Sequence, residues 1–344
     1  MSDKVKLLTA LFMASTGLPD ETSAKFKPHE APLQKTWKHF LKVLADITHA
    51  DSAKLHLTEN NQSVQSWQVG DDLSGADLAE SDRMRTNRVY SQSDHPSALK
   101  SNLPLRTMRW KVATDTWGMI TLKRHTQDFR AIDSQHLSNL LPYLAPSIQA
   151  WQSLTRERTQ ANFAHKICAD LGAGWILFSP TGQVTAMASG LAMQLKEVAN
   201  IDLTVEGWLR LEPVAAHDLR HALRAITNEN SGPHSILLNS SPRVQMILSY
   251  EHHASTMILV GRIRHHVMAS TLPLPRIMKA FNLTRSEARL AAALCDGLNM
   301  CDAALALGWT IETTRSVSKQ LFSSMGVHGQ PSVVRAMQSS AIWL

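Results

Sequence analysis

The sequence predicts an α+β multidomain chain: two antiparallel-sheet domains at residues 1–150 and 151–270, then an all-α domain of four helices at 275–344. Three observations carry that expectation. Runs that alternate apolar and polar residues, the period of a half-buried strand, recur as far as His265 and then stop. From Leu283 onward the pattern is that of short helices, with threonines at their starts and glycines at their ends. Between the two lies "STLPLP", whose prolines favour extended backbone and mark a boundary. At 344 residues the chain is also long enough for two or three separate cores.

The opening "MSDKVKLLTALFMASTG" sets lysines before a short apolar run, as a secretion signal does. Asp3 and the want of a small-x-small cleavage site favour an amphipathic first helix instead. "LQKTWKHFLKVLADIT" then spaces Leu33, Trp37, Phe40, Leu41 and Leu44 as one face of a helix. "SAKLHLTE" and "SVQSWQVG" alternate as strands joined at Asn60 and Asn61, and "RTMRWKVATDTWGMITLKR" reads as a hairpin turning near Asp115. Trp67, Trp110 and Trp117 lie on these strands, where they either line a ligand pocket or fill an ordinary core. Next, Leu137, Leu141, Leu144, Ile148 and Trp151 follow a four-three spacing, the seam of a short coiled coil. That stripe serves either a dimer or the domain's own core, and Pro142 and Pro146 predict a kink or restart in its helix.

In the middle region "GWILFSPTGQVTAMAS" is a hairpin around Pro-Thr-Gly, and "AAHDLRHALRAITN" is helical. Three further strands run from His234 to His266, with turns at 239–242 and 253–255. His217 and His221 stand four apart on the helix, but no third ligand follows at a recognisable spacing, so surface histidines are expected and no metal. The pairs His252-His253 and His265-His266, at strand ends, are expected to be solvated.

The C-terminal signals are denser. Thr284 followed by Glu287 is a capping box, in which hydroxyl and carboxylate satisfy free amides at a helix start. Ala288, Leu290, Ala291 and Leu294 make a mostly small apolar face, and Gly297 ends the helix. A second helix carries Ala303, Ala304 and Leu307; Gly308 stops it and Thr310 starts a third. Pro331 opens a fourth, with Val333, Val334 and Met337 on one face. Small residues let such helices cross closely, which leaves one side of the third helix, with Arg315, Ser316 and Lys319, off the core.

The segment "LTRSEARLAAALCDGLNMCDAALALGWTIETTRSVSKQLFSSMGV" resembles the LuxR-type helix-turn-helix family without a gap. The shared positions are Leu283, Thr284, Glu287, Gly297, Leu298, Ala304, Leu307, Thr313, Arg315, Phe322, Gly326 and Val327. Thr314 and Ser318 depart from it, standing where the family usually has aliphatics, and Val317 stands where a histidine is frequent; weaker packing beneath that helix is expected. The resemblance implies that Arg315, Ser316 and Lys319 read base edges in the major groove of double-stranded DNA. It assigns Thr310, Thr313 and Gln320 to backbone phosphates. It also implies a homodimer and contact with RNA polymerase. The element orders before it resemble a GAF domain and then a PAS domain, sensory modules that bind a small-molecule ligand or a partner.

Composition bounds the rest. The net charge of +6 suits an anionic partner, and half of it lies beyond residue 273. Cys168, Cys295 and Cys301 form no CxxC metal pattern and no closed disulfide framework, which points to a reducing cytoplasm; a redox switch at Cys295 and Cys301 competes with plain packing. No apolar run reaches the roughly 18 residues of a membrane span. Asp71-Asp72 lacks the apolar strand of a phosphoacceptor pocket, and no nucleophile elbow, P-loop, HExxH or dinucleotide fingerprint is present, so neither enzyme nor cofactor is expected. The reading is a DNA-binding transcription regulator controlled by its first two domains; the alternative is a signalling adaptor whose helix-turn-helix makes protein contacts.

Overall fold

In the computed structural model the described residues are 2–17, 33–60, 62–71, 84–94, 103–226, 232–253 and 256–344. Asn61, Asp72 and residues 254–255 of the third predicted turn lie outside them. Among the described residues the chain is α+β and its sheets are antiparallel. It divides into two compact units, Met1–Gln160 and Ala161–Leu344. Among the described residues no helix is long and apolar enough to cross a membrane.

The first unit opens with α1 (Asp3–Thr16) and α2 (Leu33–Thr48). Strands β1 (Ser52–Glu59), β2 (Gln62–Val69), β3 (Arg88–Ser91), β4 (Leu105–Lys111) and β5 (Thr116–Lys123) form one sheet in the order β2-β1-β5-β4-β3. Helix α3 (Ala131–Asp170) follows and ends beyond the unit's boundary. The alternation of β1, β4 and β5 sends Ala53, Leu55, Leu57, Met108, Trp110, Ile120 and Leu122 to one face. There they share a core with Leu7 and Leu11 of α1 and with Trp37, Phe40, Leu41 and Leu44 of α2.

The structure bears on three expectations. The four-three stripe of α3 is consumed by this same core: Leu137, Leu144 and Ile148 are fully buried, and Leu141 and Trp151 pack against them. A side chain enclosed by its own domain has no surface left for a partner seam. Pro142 and Pro146 do not break α3, which is unbroken from Ala131 to Asp170. Both prolines are exposed, and the residues whose carbonyls they leave without an amide, Ser138 and Pro142, are exposed too, which keeps those carbonyls within reach of solvent. The tryptophans, finally, do not converge on one pocket. Trp110 pairs with Gly118, so Trp117, one residue away, points to the opposite face of the sheet. Trp67 and Trp110 are core, with Trp67 stacked on Trp37 at 5.2 Å and edge-on to Trp151 at 5.1 Å. Trp117 instead carries the Arg109 guanidinium 4.1 Å above its ring. A Cβ on Gly118 would come within 2.5 Å of the Trp110 ring, so that close approach requires glycine.

The second unit holds two cores. Strands β6 (Ala173–Phe178), β7 (Val184–Met187), β10 (His234–Ser240), β11 (Arg243–His253) and β12 (Thr256–His265) form a sheet in the order β10-β11-β12-β6-β7. Between β7 and β10 lie α4 (Leu191–Ala199), the small hairpin β8 (Asp202–Leu203) and β9 (Leu209–Arg210), and α5 (Pro213–Ala225). Leu191, Leu195, Leu219 and Ala222 from these helices meet Ile176, Ile236, Val244, Met246 and Ile263 of the sheet.

A 3-10 turn (Ala269–Thr271) then leads into α6 (Leu274–Phe281), α7 (Arg285–Cys295), α8 (Met300–Leu307), α9 (Ile311–Met325) and α10 (Gln330–Gln338). The C-terminal bundle therefore has five helices and not four. The proline segment read as extended linker already starts α6, because a proline in the first turn forfeits no intrahelical bond and Ile277 is fully buried. Leu171 and Val267 pack on the bundle's core, and Asp296 accepts from the amides of Ala269 and, at 3.0 Å, of Ser270. Sheet and bundle are thus tied within one unit.

Candidate nucleic-acid interface

The bundle is organised around α7. Thr284 caps it: its hydroxyl accepts from the Glu287 amide, and the Glu287 carboxylate accepts from the Thr284 amide at 2.7 Å. The same carboxylate accepts from the Ser324 hydroxyl of α9 at 3.1 Å, so one buried group fixes the start of α7 and the end of α9. Burial alone would raise the Glu287 carboxyl above its ordinary value, but the bonds from Thr284 and Ser324 outweigh it and hold it lower. A depressed carboxyl contributes stability above its unfolded pKa and loses it as pH falls through the folded value. Protection of the α7 amides from hydrogen exchange should therefore fall as pH drops through and below the ordinary glutamate range in the native protein. Glu287→Gln should remove that acid dependence and lower protection at neutral pH by about 0.5–2 kcal/mol, the loss of a cap. An unchanged pH profile in the variant would show that the carboxylate holds nothing.

Small residues along α7, Ala288, Ala291 and Ala292, are buried and let α9 and α10 approach. Asn299 caps α8, accepting from the amides of Cys301 and Asp302. Gly308 ends α8 in the left-handed region at φ 70°, where a Cβ is disfavoured, so only Trp309 separates it from the next cap. That cap is Thr310, whose hydroxyl accepts from the Thr313 amide at 3.1 Å. The result is helix, tight turn, helix.

Helix α9 divides cleanly by face. Thr314, Ser318 and Leu321 are buried beneath it. The two hydroxyls bond back to their own helix, Thr314 to the Thr310 carbonyl at 3.0 Å and Ser318 to the Arg315 carbonyl at 2.9 Å. Neither is therefore an unsatisfied buried donor, which is how two hydroxyls are accommodated at positions beneath the helix. Arg315, Ser316 and Lys319 lie on the outer face and are exposed. At 100° per residue they form one stripe, which Glu312 and Ser323 extend at either end. Thr310, Thr313 and Gln320 are exposed as well, with Thr313 and Gln320 on one flank of the stripe.

Two features of this region lie outside what the resemblance implies. Arg289 of α7 donates to the Leu307 carbonyl and lies 5.5 Å over the Trp309 ring, bracing the turn. Glu312 puts a carboxylate on the cationic stripe, which a tally of basic residues conceals.

The weaker constellations resolve individually. The His217 and His221 rings stand 6.4 Å apart on exposed helix, and among the described residues no group of three or more metal-ligating side chains occurs. Cys295 is buried, and burial followed by the Asp296 charge pushes its thiol up to about 11, so it is no nucleophilic thiolate at neutral pH. His265 departs from the expectation of a solvated histidine. It is buried where β12 ends, because its backbone pairs with Val244 on the core face of the sheet.

No family model matches the chain, and no curated protein matches it. Several solved structures are loosely similar. The complex of the N-terminal part of Escherichia coli DhaR with DhaL gives a TM-score of 0.31 at 11% identity, covering 75% of this chain and 86% of that one. The Vibrio cholerae VqmA–ligand–DNA complex gives 0.23 at 13%, covering 50% and 84%. The phage VqmA–DPO complex gives 0.20 at 14%, covering 55% and 91%. Superpositions this loose carry neither fold nor function to the present chain.

Proposed function

We propose that this protein is a sequence-specific DNA-binding regulator of transcription. Its C-terminal domain, 275–344, reads double-stranded DNA through α9, and its GAF-like (1–150) and PAS-like (151–270) domains sense a small molecule or partner. The observation that supports this most is the division of α9 into a buried seat and an outer cationic stripe. An α-helix enters the major groove by its outer face, and guanidinium and ammonium groups donate there to guanine O6 and N7. In this reading Arg315, Ser316 and Lys319 meet base edges, while the capped start of α9 with Thr310 and Thr313, together with Gln320, holds phosphates. The protein acts as a homodimer on paired half-sites, touches RNA polymerase when bound, and catalyses no reaction.

The test is footprinting of the full-length protein on genomic fragments across a salt series. Discrete protected sites are expected, with log K falling against log salt by about 0.9 for each phosphate contacted. A flat salt response would sink the reading. An adaptor that used α9 for protein contacts would leave no footprint at all.

Glu312 yields a narrower prediction. Its carboxylate repels phosphate and accepts in the groove chiefly from cytosine N4. Glu312→Ala should therefore tighten binding to random DNA by roughly twofold to fivefold at low salt, where one unscreened charge counts most. It should also relax the operator preference, as read by competition with non-specific DNA. Weaker binding to random DNA would place Glu312 in a structural role.

A further inference from the structure

Where the end of the β11–β12 ladder meets the helical bundle, the second unit encloses a cleft of about 380 Å³. Leu171, Val267, Cys295 and Trp343 supply its apolar surface. The Trp343 indole N–H is already committed to the Met337 carbonyl at 2.8 Å, and Cys295 keeps its proton, so neither adds charge. Cationic and amide groups from the sheet line the same space: Arg243, Gln245 and Arg264. Gln245 and Arg264 are cross-strand partners, and Arg243 lies two residues along β11 on the same face. Among the described residues neither arginine has a carboxylate partner; Arg243 reaches only the Gln245 amide oxygen at 3.5 Å. Two acidic residues adjoin the lining in sequence, Asp170 and Asp296; Asp296 is engaged by the amides of Ala269 and Ser270, and among the described residues neither forms an ion pair with Arg243 or Arg264. His265 also lines the cleft, 95% buried at 5% exposure, and its Nε2 has no hydrogen-bond partner among the described residues.

The cleft has the size of a small-molecule site, and its lining is more polar than the mostly apolar norm, which suits a charged ligand. Two unpaired guanidiniums select an oxyanion and repel a metal ion.

We infer that this cleft binds a small organic acid, with its carboxylate on Arg243 and Arg264 and its apolar body against Leu171, Val267 and Trp343. Such a ligand touches β12 together with the ends of α7 and α10, and so bridges the sheet to the bundle that carries α9. Binding itself does not depend on the DNA reading, because the experiment uses the free protein.

Full-length protein is screened by ligand-observed NMR against small carboxylic acids of at most about a dozen heavy atoms, each beside its neutral primary amide, with inorganic phosphate as a further probe. At least one acid should bind while its amide does not. Arg243→Ala and Arg264→Ala, both at exposed side chains that leave the fold intact, should each weaken that acid by about tenfold or more, the scale of a lost charge-assisted bond. Trp343→Ala tests the apolar wall, with circular dichroism as the control for folding. The inference is overturned if no acid binds, if binding survives both arginine substitutions, or if phosphate binds as tightly as the best acid.

Discussion

The Arg315→Ala, Lys319→Ala double variant should bind an operator about 30- to 20,000-fold more weakly than the native protein, since each good edge contact contributes about 1–3 kcal/mol of discrimination. The same change should reduce binding to random DNA far less. Both side chains are exposed and make no contact beneath α9, so the fold should be affected by no more than about 0.5 kcal/mol. Affinity and stability therefore separate, and a binding loss cannot be ascribed to unfolding. The comparison is made by gel shift on operator and scrambled duplex at two salt concentrations. An equal loss on both duplexes, accompanied by a shallower salt slope, would move the two cations from bases to phosphates. No loss on either would remove α9 from the interface.

The start and register of α9 were legible because they depend on residues three or four apart. Thr310 meets the Thr313 amide, Thr284 meets Glu287, and Gly308 takes a left-handed backbone, each a local event that sequence spacing encodes. The hairpins β1–β2 and β4–β5 were legible for the same reason. Strand β3 was not, since only four residues form it and among them only Tyr90 is buried. Nor was the division of the tryptophans foreseen, although pleat parity across the β4–β5 turn sets Trp110 and Trp117 on opposite faces. The cleft beside His265 was invisible for a deeper reason. It joins Leu171, β11, β12, α7 and α10, segments far apart in the chain, and no spacing rule relates them.

The stripe of α3 shows the same limit and gives the largest stability effect. A four-three spacing states that one helical face is apolar but not what covers it. Here it is covered from within: Leu144 is fully enclosed with Leu11, Phe40 and Trp37 among the members of its core. Leu144→Glu should therefore leave an uncompensated charge in that core and destabilise the first unit by about 4 kcal/mol or more, a large part of a domain's whole stability. Leu144→Ala should cost about 2–5 kcal/mol through the cavity alone, which separates loss of volume from burial of charge. The measurement is near-ultraviolet circular dichroism of the clustered tryptophans during urea titration, with limited proteolysis to report which unit opens. A dimer seam makes the opposite prediction. Leu144→Glu would then leave the tryptophan signal and the protease pattern unchanged while sedimentation shifted toward monomer, and that result would return α3 to the subunit interface.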